Sequence, residues 1–189
     1  MPMSDYLYRL RQQVGQQLLV LPAVAVLVLD ARRRLLLGRD AGMDLWAAPG
    51  GAIDPDEAPA DAAVREMWEE TGLLVTLSGV QGVYGGPDFR LTYPNGDLVS
   101  YCVIAFAAAI TDGVMRPDGV EMAELGWFSE AEAEALTMGP WTRTIIRDAF
   151  APADRTRFAT PRWQPSGSSA GRAGARSDGA GRRPPGTSG

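Results

Sequence analysis

Between Pro59 and Gly72 the chain has little conformational choice. Proline suits the first turn of a helix, glycine suits the residue just past its end, and neither type interrupts the stretch between them. Ala60, Ala63, Val64, Met67 and Thr71 recur at helical spacing and can pack on a sheet. On another face Glu66, Glu69 and Glu70 are related by steps of three and four, which crowds three carboxylates together. An isolated helix gains nothing from like charges at that spacing. A hard divalent cation such as Mg²⁺ would turn their repulsion into binding, with waters and substrate phosphates completing its shell.

The surroundings add to this picture. Gly50 and Gly51 permit a sharp bend that brings a backbone carbonyl or amide near the same place. Glu57, just ahead of the helix, can add a fourth carboxylate, and Arg65 lies four residues before Glu69 and can hold it. A Glu69-Glu70 pair alone would be ordinary solvated surface. The full pattern in register argues for more.

Short apolar runs flank this helix. Pro22–Leu29 reads as a buried strand, Arg34–Arg39 as its return strand, Leu73–Tyr84 as another strand and Glu124–Phe128 as a short one. Phe89–Tyr93 and Leu98–Ile110 flank Asn95-Gly96, a hairpin signal. Ser4 can cap a first helix with a stripe of Tyr6, Leu7, Leu10 and Val14. Ser129 with Glu132 forms a capping box, and Trp141–Phe150 reads as the last helix. Strands, a central helix and more strands predict an α/β (α+β) domain with a mixed sheet.

Charge and composition narrow the chemistry. All 18 basic residues are arginine, so histidine is excluded as ligand, base or pH switch, and arginine and metal are left to meet an anionic substrate. Residues 1–154 carry 22 acidic residues against 11 arginines, whereas residues 155–189 carry 7 arginines and one aspartate. The acidic body argues against nucleic acid as a partner. The Gly/Ser/Pro/Arg composition after about Thr160 predicts a disordered tail, assigned to 155–189. Leu18–Leu29 is too short to span a bilayer, Met1–Gly15 lacks the order of a signal peptide, and Cys102 is the lone cysteine. A cytoplasmic location with no membrane partner is the expectation.

Gly51, Glu57 and the run Arg65-Glu66-Met67-Trp68-Glu69-Glu70-Thr71-Gly72-Leu73 together resemble the Nudix box. Trp46-x-x-Pro49-Gly50-Gly51 and the strand order extend the resemblance over about residues 18–150, within a domain of 1–154. It implies a mixed sheet between helices with the box helix on one face. It also implies metal-dependent hydrolysis of the diphosphate link in a nucleoside diphosphate joined to another group X: ADP-ribose, a nucleotide sugar or a (d)NTP. The metal would be Mg²⁺, with Mn²⁺ as a substitute.

Role by role, the resemblance makes Glu69 and Glu70 the principal metal ligands, with Glu66 binding through water or serving as base. Glu57 supports the centre, Gly50 offers its carbonyl, and Arg65 orients the glutamates. Of the later acidic residues Glu121 and Glu124, Glu121 is favoured as a further ligand or base because it falls in a loop. Ala58 departs from the helix-capping Ser or Thr common in the family, a cap worth roughly 1 kcal/mol. Trp46 and Tyr84 could stack on a base, and Arg90 could pair with a phosphate. The N-terminal helix is available for a homodimer contact. A nucleotide-sensing or protein-binding module on the same fold is the alternative, and the intact glutamate set favours catalysis.

Overall fold

The computed structural model describes residues 4–152 and 154–165. The chain divides into a compact unit, Met1–Ala159, and a second unit, Thr160–Gly189, whose described residues form neither helix nor strand. In the first unit, helix α1 (Asp5–Val14) leads into β1 (Leu19–Val28), β2 (Leu35–Asp40) and the short β3 (Trp46–Ala47). The helix α2 (Pro59–Thr71) is followed by β4 (Leu73–Tyr84), a single 3₁₀ turn, β5 (Arg90–Thr92) and the long β6 (Leu98–Gly113). Then come β7 (Met122–Phe128), α3 (Glu130–Ala135), α4 (Pro140–Phe150) and β8 (Arg157–Phe158).

The larger sheet runs β1-β6-β4-β8, with β5 also on β6. Strand β1 is parallel to β6, with Leu19 opposite Val99 and Val28 opposite Ala108. A parallel strand covered on both faces carries apolar side chains on both. Ala23, Ala25 and Leu27 of β1 join Val103 and Ala105 of β6 beneath Ile145, Ile146 and Ala149 of α4. Val24, Val26 and Val28 face the other way and, with Phe106, meet Ala62, Ala63 and Met67 of α2. Helices thus cover both faces, and the carboxylate-bearing helix is fixed by burial of its opposite stripe.

The run Arg34–Arg39 is not the return strand of β1. Strand β2 belongs to a second sheet, β3-β2-β7, and its sheet pairing near β1 is limited to a bridge from Leu29, just past that strand, to Leu35. Leu35 and Leu37 enter the core on the α4 side while Leu36 enters the core beside α2, so β2 wedges between the two. Helix α1 is capped by Ser4 as expected, but its buried side chain is Arg11, while Tyr6 is exposed. The Arg11 Nη1 and Nη2 donate to the carbonyls of Gly15, Gln17 and Leu98 at 2.7–3.0 Å, while its Nε, without a hydrogen bond, lies 3.6 Å from the Asp97 carboxylate.

The sheet also continues past residue 154. Gly82 and Val83 of β4 pair in parallel with Arg157 and Phe158, so residues 157–158 are strand rather than tail. The remainder of the expected tail, 166–189, lies outside the described residues. Among the described residues no helix is long and apolar enough to cross a membrane.

Candidate active site

Helix α2 starts without a side-chain cap at Ala58, as its sequence predicts, and stops at Gly72, which has φ 69° and donates its backbone N–H to the Trp68 carbonyl. Ahead of it, Glu57 bonds the Asp54 amide and turns back onto Arg65. The Arg65 Nε and Nη2 reach the two Glu57 oxygens at 2.7 and 2.9 Å. Its Nη1 donates to Glu66 at 3.0 Å and to Glu69 at 3.1 Å, and Nη2 also reaches the Ala52 carbonyl at 3.3 Å. One guanidinium therefore fixes three carboxylates and a backbone turn, and it holds the Glu57 carboxyl below the usual range.

The segment 49–51 crosses behind α2. The carbonyls of Pro49 and Gly51 accept from Val26 and Val24 of β1, leaving the Gly50 carbonyl without a backbone partner among the described residues. The Gly50 amide donates to Glu70 Oε2 at 2.9 Å. Gly50 has φ 149°, and a Cβ there would strike the Val24 carbonyl, so glycine is required by both conformation and space.

A third element closes the centre. After β6 the chain returns to α2, where the Arg116 amide bonds the Thr71 carbonyl at 2.9 Å. Asp118 then gathers the amides of Val120, Glu121 and Met122 at 2.9–3.2 Å. Burial pushes the Asp118 carboxyl up, but these amides outweigh it and hold it below the ordinary range. The resulting loop sets Glu121 against the helix. Ligand oxygens of Glu66, Glu70 and Glu121 lie within 4.8 Å of one another.

Glu66 and Glu70 are only 6% and 2% exposed. Burial pushes the Glu66 carboxyl up to about 7 although Arg65 opposes the rise. Glu70 is pushed well above its usual range by burial and then by the charge of Glu66, with the Gly50 amide opposing. Burial raises Glu121 as well. Two buried carboxylates and a half-buried one this close, with one arginine contact among them, are unfavourable unless a proton or cation lies between them. The all-oxygen donor set fits a hard divalent cation.

The structure thus brings together Glu66, Glu70 and Glu121. Glu69 stands apart, with 57% of its side chain exposed and its oxygen turned to Arg65, and Glu57 is engaged by the same arginine. Gly50 borders the group through its amide contact with Glu70.

From Glu70 and Glu121 a cleft of about 140 Å³ runs inward between β1, β6 and α4. Tyr93, Tyr101, Trp141, Met43, Leu45 and Met122 contribute to its walls. The Tyr93 and Tyr101 hydroxyls are 2.7 Å apart, and burial raises the pKa of both, keeping them neutral. None of Trp46, Tyr84 and Arg90 lines this cleft. Trp46 meets Phe128 edge-on at 4.8 Å in the core. Tyr84 stacks on Phe89 and donates to Asp148 at 3.2 Å, while Arg90 is exposed on β5. The cleft aromatics were absent from the sequence-based candidates, but the hairpin carries a signal for two of them. Leu91 pairs antiparallel with Val99, so Tyr93, just past β5, and Tyr101 of β6, each two residues from that pair on opposite sides of it, share one face.

The family model for the NUDIX domain matches residues 20–149. A putative 8-oxo-dGTP diphosphatase of Bacillus subtilis (strain 168) is 38% identical over 123 residues, covering 65% of this chain and 75% of that protein. An RNA pyrophosphohydrolase of Cereibacter sphaeroides is 35% identical over 74 residues, 38% of this chain and 44% of the relative. The chain therefore spans three quarters of the first relative and less than half of the second. Among solved structures, the MutT protein of Methanosarcina mazei Go1 aligns with a TM-score of 0.58 at 23% identity, covering 69% of this chain and 92% of that one. A UDP-X diphosphatase aligns at 0.57 with 19% identity, covering 78% and 70%; at such identities these two likenesses speak to fold alone. The chain belongs to the Nudix hydrolase family.

Proposed function

We propose that this protein hydrolyses the diphosphate linkage of a nucleoside diphosphate joined to a group X, with Mg²⁺ or Mn²⁺ as cofactor. The observation that carries the reading is the convergence of Glu66, Glu70 and Glu121 at the mouth of an aromatic-lined cleft. The cleft volume suits a planar ring system rather than a whole nucleotide, which leaves the phosphates outside it, beside the carboxylates.

Glu70 and Glu121 would hold the cation, with Glu66 beside them and the Gly50 carbonyl available as a neutral donor. The bound cation would neutralise charge that develops on the phosphate oxygens. In the reaction, the oxygen of a water forms a bond to one phosphorus while the bridging P–O bond of the diphosphate breaks. Glu66 takes the proton of the attacking water, a role that falls to a carboxylate in a protein without histidine. Arg65 keeps Glu66 in place and favours its ionised form. Tyr93, Tyr101 and Trp141 exclude water and offer ring faces to the base.

The test is turnover of matched substrates (a dNTP series including 8-oxo-dGTP, ADP-ribose and nucleotide sugars) with Mg²⁺, Mn²⁺ or chelator. Cation-dependent release of a nucleoside monophosphate from at least one class is expected. Cleavage that persists in chelator, or no cleavage of any member with either ion, would overturn the reading.

A further inference from the structure

A second hollow adjoins the carboxylates on the outer side. It has a volume of about 440 Å³ and is lined by Trp68, Glu69, Gly72, Arg116, Pro117 and Asp118. Both of its walls belong to elements that build the centre. Glu69 shares the Arg65 Nη1 with Glu66, and Asp118 holds the amide of Glu121. The carboxylate group therefore has a mainly apolar cleft at one border and a hollow of mixed polar and apolar lining at another.

Two side chains there are unexplained by folding. Trp68 is 49% exposed although its helix buries Ala62, Ala63 and Met67. A large aromatic left in water in a hollow shared with Glu69 and Asp118 exposes a flat apolar face to any ligand. Arg116 is exposed and makes no side-chain ion pair or hydrogen bond among the described residues, even though Glu69 and Asp118 line the same hollow. Glu69 and Asp118 supply acceptors for hydroxyl groups, the indole supplies a stacking face, and Arg116 supplies a cation for a phosphate. That combination suits a hydroxyl-rich phosphosugar better than an apolar group or a bare anion.

We propose that this hollow receives the sugar of X, making Trp68 and Arg116 specificity-determining residues for nucleoside diphosphate sugars. The inference rests on the hydrolytic reading above. Trp68 stacks on the sugar and so acts only where X carries one. Arg116 meets the phosphate nearest X, which a nucleoside triphosphate also has.

The test is steady-state kinetics on pairs that share a base, each pair a nucleoside triphosphate and a nucleoside diphosphate sugar, run for adenine, guanine and uracil with Mn²⁺. In the pair that the wild type turns over, Trp68→Ala should raise KM for the sugar member about fivefold or more, leave its kcat alone, and leave the triphosphate unchanged. Trp68→Phe should restore most of the loss, and Arg116→Ala should raise KM for both members. Circular dichroism of each variant checks folding. Equal effects of Trp68→Ala on both members, no effect on the sugar, no effect of Arg116→Ala, or a wild type that cleaves triphosphates alone would each overturn the inference while leaving the hydrolytic reading intact. A wild type that cleaves neither member of any pair would overturn this inference, and inactivity on 8-oxo-dGTP, the other dNTPs and ADP-ribose as well would remove the hydrolytic reading itself.

Discussion

Glu57 and Arg65 meet fork to fork across the start of α2, Nε to Oε1 at 2.7 Å and Nη2 to Oε2 at 2.9 Å. The pair leaves the remaining guanidinium nitrogen, Nη1, pointing at Glu66 and Glu69. A lysine has the charge but not the planar fork, and it could not serve Glu57 and Glu66 together. Arg65→Lys should lower kcat about 10- to 100-fold with the melting temperature little changed. Steady-state rates beside thermal melts check this, and near-normal turnover would show that the fork is dispensable.

The same geometry ranks the glutamates. Glu70→Gln and Glu121→Gln each keep the shape of a side chain in the close group while removing its charge, and each should cost about 100-fold or more in kcat. Glu69→Gln removes a carboxylate that is mostly in solvent, and its loss should be smaller than that of Glu70→Gln. Measuring all three at saturating substrate, over a range of Mn²⁺, provides the ranking. A Glu69 effect equal to or above that of Glu70 would show that Glu69 turns inward when the cation binds.

Burial of Glu66 sets a pH dependence of stability in the cation-free protein. Its carboxyl rises from the ordinary 4.5 to about 7 on folding, so between those values the folded chain holds a proton that the unfolded chain releases. The contribution of this group is therefore full below pH 4.5, declines as pH rises to about 7, and is lost above that, a swing of about 3 kcal/mol. In chelator the melting temperature should fall between pH 5 and pH 8, Glu66→Gln should flatten the fall, and Mg²⁺ should restore more stability at pH 8 than at pH 5. An unchanged slope in Glu66→Gln would move the effect to other groups.

Asp118 acts at one remove. Its carboxylate caps the amides of the loop that carries Glu121. Asp118→Ala should weaken the apparent Mn²⁺ affinity about 10- to 100-fold while kcat at saturating Mn²⁺ stays within a few-fold of wild type. A fall in kcat that excess Mn²⁺ fails to rescue would argue for a direct role instead.

Truncation separates the strand from the segment after it. Removing everything after Thr160 should leave the melting temperature and turnover little changed. Removing everything after Asp154 also takes away β8 and the Thr156 hydroxyl bond to the Val80 carbonyl, and should lower the melting temperature by several degrees. Equal melting curves for the two forms would show that β8 adds nothing to stability.

Much of this was legible in the residues. The bounds of α2 and β4, the Ser129–Glu132 capping box and the Asn95-Gly96 hairpin follow local rules, and the structure repeats them. What local pattern could not give was the choice of partners. Arg34–Arg39 reads as a strand in either sheet, and only the three-dimensional core decides that Leu35 and Leu36 face different layers. Spacing alone also overstates the shared face of Glu66, Glu69 and Glu70. At about 100° per residue, Glu66 and Glu70 nearly stack while Glu69 falls well to one side of Glu70. Tyr93, Tyr101 and Trp141 line one cleft because β6 and α4 meet there, which no single window of sequence displays.

The parallel pairing of β1 with β6 has a consequence for how the protein comes into being. Leu19 finds Val99 only after every residue of the glutamate helix has left the ribosome, and Glu121 follows later still. A nascent chain ending near Asp97 holds the whole signature stretch yet has no sheet to bury its apolar stripe and no third carboxylate. Such long-range closure is slow compared with helix formation. During synthesis the acidic helix must therefore wait, incomplete as a cation trap, until the second half of the chain arrives to assemble it.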